Sequence, residues 1–263
     1  MGEVSNAVVR RLPAVPVVVG SVVIGGAASL ICSPLVARTE NELMEEASQV
    51  SGIGPDLVEW RADYLQDLRP GAVAGILARL HQRVPMPLLF TFRAPEEGGG
   101  RPVEPGVRLA ILAEAVRSGQ VDLVDVELSM EPVARRGLLA LASGMGIPMV
   151  VSAHDFRGTP GEDELLRILA EEQEAGAAVA KIATTANEPE DGLRLLRACA
   201  RARSEFLKIP LVGIAMGAAG AFTRVVAPLF GVDMTFARAV ASSAPGQMGI
   251  EAVREARRLM GIG

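Results

Sequence analysis

Along residues 31–237, short runs of apolar residues alternate with longer stretches in which apolar positions recur every three or four residues. Continuous runs rich in Val, Ile and Leu mark strands buried on both faces, and the longer period is that of an amphipathic helix. The runs predict strands at 31–36, 56–61, 87–93, 121–127, 147–153, 178–182, 210–216 and 232–237. Helices are expected near 40–51, 70–83, 104–118, 131–144, 161–175, 188–204, 219–229 and 247–260. Thr39, three residues before Glu42, has the spacing of a capping box at the start of the first helix. Eight strand–helix units in 263 residues predict an α/β fold, the (β/α)8 TIM barrel. An open doubly wound sheet fits less well, because no strand runs into a G-x-G-x-x-G turn. No Pro/Gly/Ser-rich linker divides the chain, so residues 1–263 read as one barrel domain.

Residues 10–31 depart from this alternation. Arg10-Arg11 precede the apolar run LPAVPVVVGSVVIGGAASLI, the composition of an export signal. The valines suit strands better, and Pro13, Pro16, Gly20 and Gly25-Gly26 punctuate the run as a β-hairpin requires. The reading adopted is a hairpin that closes the bottom of the barrel, preceded by a flexible extension over residues 1–16. The export signal stays open as the alternative.

Composition narrows the function. A hydrophobic share of 49% excludes global disorder. The net charge is −5 with the signs interspersed, and aromatic residues make up 3%, a poor match to nucleic-acid binding. Later in the chain, no run reaches the roughly 18 apolar residues of a membrane span. Two distant cysteines, Cys32 and Cys199, and two histidines give no metal-ligand pattern. A cytoplasmic protein without metal is expected.

Strand side chains alternate in direction, and barrel active sites form at the C-terminal strand ends. On one face of each expected strand, that end carries Glu59 and Arg61, then Thr91 and Arg93, Asp125 and Glu127, Ser152 and His154, and Lys181. The seventh strand contributes Ile214 and Met216. Barrel interiors are otherwise filled with branched apolar side chains, so five polar strand ends in succession point to a site. A purely structural ion-pair network of Glu59, Arg61, Arg93 and Glu127 is the competing explanation.

Only two of the 26 basic residues are lysines, Lys181 and Lys208; the rest are arginines. Lys208 falls at the opposite end of the barrel. Lys181 sits among Val179, Ala180, Ile182 and Ala183. A free lysine has a pKa of about 10.4, and burial near cations such as Arg61 and Arg93 would lower it. The amine could then form a Schiff base with a carbonyl. His154, on the preceding strand, suits proton transfer near neutral pH. Arg61, Arg93 and Arg224 are candidate anion contacts. Ser242-Ser243-Ala244-Pro245-Gly246-Gln247 offers donors for a hydroxylated ligand, and the Gly-rich stretch 217–224 reads as a lid.

Six stretches, in order, resemble type I 3-dehydroquinate dehydratase: E-W-R (59–61), T-F-R-x-x-x-E (91–97), S-A-H-D-F (152–156), A-K-I-A (180–183), M-x-x-x-G-x-x-T-R (216–224) and S-A-P-G-Q (243–247). The resemblance implies a (β/α)8 barrel, a homodimer and no cofactor. The implied reaction is a syn dehydration of 3-dehydroquinate in the shikimate pathway. It implies an imine at Lys181, proton transfer by His154 and ordering of His154 by Glu97. Arg224 would bind the substrate carboxylate. Glu59, Arg61, Arg93, Met216, Phe236, Ser243 and Gln247 would surround the ring, with Ser33 as the candidate from the first barrel strand. A class I aldolase and a non-catalytic acid-binding barrel are the alternatives.

Overall fold

Buried apolar residues divide into two layers around a ring of strands. The computed structural model describes residues 14–262. Strands β1 (Val17–Val19) and β2 (Val22–Ile24) form an antiparallel hairpin. Eight parallel strands follow: β3 (Leu30–Leu35), β4 (Leu57–Arg61), β5 (Leu88–Thr91), β6 (Leu123–Glu127), β7 (Met149–Asp155), β8 (Val179–Thr185), β9 (Leu211–Met216) and β10 (Met234–Phe236). They pair in the order β10-β3-β4-β5-β6-β7-β8-β9. The seam between β9 and β10 is bridged at Asp233, whose amide donates to the Leu211 carbonyl at 2.8 Å. Helices α1 (Glu40–Ile53), α2 (Val73–His81), α3 (Pro105–Arg117), α4 (Pro132–Gly144), α5 (Glu162–Glu174), α6 (Pro189–Glu205), α7 (Thr223–Val226) and α8 (Ile250–Leu259) alternate with the strands. The eight-fold alternation is the (β/α)8 barrel expected from the hydrophobic pattern.

Thr39 caps α1 reciprocally with Glu42, as the spacing predicts. The seventh helix is shorter than expected. It turns into a 3-10 segment at Ala227–Phe230, because Pro228 has no amide to donate to the Arg224 carbonyl four residues back. That carbonyl is taken instead by Arg257 of α8, at 3.0 Å. The eighth helix starts at Ile250, so residues 238–249 form a loop. The stretch read as a lid is tightly folded: the Thr223 hydroxyl donates to the Gly220 carbonyl at 2.7 Å and accepts the Ala215 amide at 3.3 Å.

The lower lumen is apolar. Val19 and Ile24 of the hairpin pack into one cluster with Leu30, Cys32, Leu57, Leu89, Leu123, Val150 and Val179. The hairpin thus closes the N-terminal mouth with side chains that water would otherwise reach. Trp60 and Phe90 point the other way, into the layer between sheet and helices, edge to face at 5.3 Å. Ala14 is buried and the Val15 amide donates to the Lys208 carbonyl, which puts exposed Lys208 at the bottom as expected. Of the expected extension, residues 1–13, with Arg10-Arg11, lie outside the described residues.

Ile24 is fully buried at this plug. Ile24→Ala is expected to lower unfolding free energy by about 2–5 kcal/mol, measured by urea denaturation.

Candidate active site

The same alternation that fills the lower lumen with apolar groups delivers polar ones at the top. Lys181 pairs in register with Ser152 on β7, and His154 lies two residues further up the same face. A pocket of about 470 Å³ opens there, within the range of small-molecule sites. Lys181 and His154 line it, with Glu59, Arg61, Arg93 and Glu97 around them. Met216, Arg224, Phe236, Ser243 and Gln247 complete the wall. All these residues of the sequence-based set converge as expected.

Ser33 does not. It pairs with Val58 and Pro34 with Glu59, so Pro34 shares the lumen face and Ser33 faces the helices. The reason is the period of two: a one-residue offset in the alignment exchanges the faces. The Ser33 hydroxyl accepts the Ala239 amide at 3.0 Å instead.

A second correction concerns the charges at Lys181. Its Nζ lies 2.9 Å from Asp125 Oδ2 and 3.5 Å from Glu59 Oε1. The charged groups in contact with the amine are therefore carboxylates, not guanidinium groups. The Phe236 ring closes the remaining side, 4.4 Å from Nζ to its centroid.

The sequence places Asp125 on the polar face with Glu127 but assigns it no role. It accepts from Arg93 Nη2 at 2.9 Å, from the Ser152 hydroxyl at 2.6 Å and from Lys181. Burial alone would raise its pKa, but Arg93 and Lys181 outweigh burial and hold the carboxyl far below the usual range. Arg93 also donates to Glu127 at 2.9 Å, so the structural ion-pair reading is correct for that pair. Arg61, in contrast, forms a two-point pair with Asp63, at 2.9 and 2.8 Å. Asp63 lies in a turn after β4 and Ser129 in a loop after β6, where no periodicity signals a contact.

His154 Nδ1 is 2.9 Å from Glu97 Oε2, which also accepts the His154 amide at 3.0 Å. Glu97 Oε1 accepts the Ser129 hydroxyl at 2.5 Å. Burial, then the positive charges of Arg93 and Lys181, push the imidazole pKa well below its ordinary 6.5. The ring is thus neutral at pH 7, with Nδ1–H directed at Glu97 and Nε2 left basic. Gly98, at φ +82°, carries the chain past Phe156; a Cβ there would lie 2.3 Å from the ring.

Two buried donors on the pocket wall have no hydrogen-bond partner among the described residues. Arg224 is buried, donates to the carbonyls of Gly246 and Phe236, and leaves Nη2 unbonded. Its pKa is pushed down to about 10 by burial. Gln247 Oε1 accepts the Ser243 amide at 2.9 Å, while Nε2 is buried and unbonded. A buried cation without a counter-ion and a free amide donor on one pocket suit an anionic, oxygen-rich ligand. Among the described residues, no three His, Cys, Asp or Glu side chains form a metal-binding group. No helix among them is long and apolar enough to cross a membrane.

Fold and pocket define the class: a (β/α)8-barrel enzyme with a lysine-bearing pocket at the C-terminal mouth. The family model for type I 3-dehydroquinase matches residues 31–263. The chain is 41% identical over 240 residues to a 3-dehydroquinate dehydratase of Geobacillus kaustophilus, covering 88% of this chain and 90% of that one. It is 37% identical over 229 residues to one from Klebsiella pneumoniae subsp. pneumoniae, covering 86% and 91%. The crystal structure of 3-dehydroquinate dehydratase from Geobacillus kaustophilus HTA426 superposes with a TM-score of 0.89 at 36% identity, covering 96% of this chain and 98% of that one. The chain belongs to the type I 3-dehydroquinase family.

Two measurements test the electrostatics. The imidazole signals of His154, assigned with His81→Gln, should keep neutral-form NMR shifts at pH 6.5 and titrate only well below it. The unfolded ring titrates near about 6.5 and the folded one lower, so stability should fall as pH drops through that interval. Asp125→Ala leaves Arg93 and Lys181 without their shared counter-ion. It should cost about 3–5 kcal/mol in urea unfolding.

Proposed function

We propose that this chain dehydrates 3-dehydroquinate to 3-dehydroshikimate, through a Schiff base at Lys181, in the shikimate pathway. The observation that carries the reading is the placement of one buried lysine below a neutral histidine, in a pocket that ends on unpaired Arg224.

The substrate carboxylate binds Arg224, whose free Nη2 has no internal acid to compete with it. Gln247 Nε2, the Ser243 segment and Glu59 hold the ring hydroxyls. Arg61 keeps Asp63 in register and presents the remaining edge of its guanidinium group, and Arg93, held by Asp125 and Glu127, borders the ring as a fixed positive charge. The Lys181 ammonium passes a proton to His154 Nε2, the freed amine attacks the C3 ketone, and the same proton returns to the carbinolamine hydroxyl, which leaves as water to give a cationic imine. That cation acidifies the C2 proton, which His154 Nε2 removes. The electron pair passes into the imine as an enamine and then expels the C1 hydroxyl. His154 returns its proton to that hydroxyl, so the net loss is one water, on one face of the ring. Hydrolysis of the product imine frees Lys181. Glu97 keeps the histidine in the Nδ1–H tautomer throughout, and Asp125 and Glu59 offset the imine charge. Met216 and Phe236 wall the ring. The working form is a cytoplasmic homodimer, tested by light scattering and by cell fractionation.

Borohydride added with 3-dehydroquinate should fix the ligand mass on Lys181. An adduct on Lys208, or none with turning-over protein, sinks the mechanism. Lys181→Met should lower kcat at least about 10³-fold. Arg224→Leu should raise KM about 10²-fold, because it removes a buried charge partner.

A further inference from the structure

The loop that follows β10 brings Ser243, Ala244 and Gln247 to the pocket. Its far end is well held. The Gly217 amide donates to the Pro245 carbonyl at 3.1 Å, and Arg224 Nε donates to the Gly246 carbonyl at 3.2 Å. Gly246, at φ +69°, lies so close that a Cβ would meet the Gly217 carbonyl oxygen at 2.3 Å. The near end, residues 239–241, is held by side chains that do not line the pocket.

Two buried acceptors meet it. The Ser33 hydroxyl, on the helix-facing side of β3, accepts the Ala239 amide at 3.0 Å. Glu46 of α1 turns its carboxylate to the same place. Its Oε2 accepts the Val36 amide at 3.0 Å, and the side chain borders one cleft with Ala37 and Ala241. Glu46 lies on the inner face of α1 beside Leu43, Ala47 and Val50, where an apolar residue is expected. Only 7% of Glu46 is exposed, and Oε1 takes no hydrogen bond of good geometry. A buried acid at an apolar position is costly unless the amides that it receives need it. Beside it a cleft of about 510 Å³ runs between Val36-Ala37 and Val240-Ala241, so packing alone does not hold the two segments together.

We propose that Ser33 and Glu46 are positioning residues for the pocket: Ser33 accepts the Ala239 amide, Glu46 accepts the Val36 amide and lies against Ala241, and together they fix the height at which the loop presents Ser243 and Gln247. The same carboxylate ties the turn after β3, so the first and last barrel strands are locked at the catalytic end. The role differs from the substrate contact first expected of Ser33.

The turnover arm of the test rests on the proposed activity; the exchange arm does not. Wild type, Ser33→Ala, Glu46→Gln, Glu46→Leu and Ser33→Ala/Glu46→Leu are compared as full chains. Amide hydrogen exchange is followed by mass spectrometry, and kcat and KM are measured with 3-dehydroquinate. In the double variant, exchange over 239–247 should quicken at least about tenfold while β4 and β8 keep their protection. KM should rise about tenfold, more than kcat falls. Glu46→Gln keeps an acceptor oxygen and should recover most of the KM lost in Glu46→Leu. Unchanged exchange and unchanged KM in a folded double variant overturn the proposal. So does a loss confined to kcat, or a Ser33→Ala variant with faster exchange everywhere. If wild type fails to turn over 3-dehydroquinate, the functional reading fails, and the exchange comparison still decides whether the latch exists.

Discussion

The charges at the top of the barrel are held together by one carboxylate. Asp125 faces Lys181, Arg93 and Ser152 at once, with its side chain fully enclosed. Taking a carboxylate out of water costs several kcal/mol, about what two well-placed cations return. Each member of the cluster is therefore tolerable only in the presence of the others. That mutual dependence fixes where the Lys181 amine points. It also leaves Arg93 with no freedom to move toward a ligand, since Glu127 holds its other edge.

The rest of the molecule makes that cluster possible. The hairpin and the apolar lower lumen keep water out from below. The helix layer, with Trp60 and Phe90 in its core, fixes the strand tilt that brings the polar ends to one mouth. Around the pocket, Lys181, Arg93, Arg61 and His154 have acidic partners, whereas Arg224 Nη2 and Gln247 Nε2 on its wall have no hydrogen-bond partner among the described residues.

Strand alternation was legible for a simple reason. Parallel strands buried on both faces need long apolar runs, and a charged residue interrupting such a run stands out. Glu59, Arg61, Arg93, His154 and Lys181 were found in this way. Asp125 obeyed the same rule, yet its importance depends on which cations reach it across the barrel, and periodicity contains no such distance. Ser33 was misplaced because a single step along a strand exchanges its two faces, and local sequence does not define that step at a proline-containing strand end. Asp63 and Ser129 lie in turns and had no pattern to betray them.

The sequence by itself determined the barrel, the register of its polar mouth and which of the two lysines stands at that mouth. Those follow from short-range periodicity and from side-chain chemistry, which are properties of the chain alone. The tertiary structure decided which charges are already spent on one another. Arg61 and Arg93 have acid partners and Arg224 has none, a distinction made by contacts between residues 2 to 34 positions apart for the first two. It decided also that Lys181 meets carboxylates and that Ser33 and Glu46 meet the last loop. Closing the ring brings strands β3 and β10 together, and only that closure places the start of the barrel against its end.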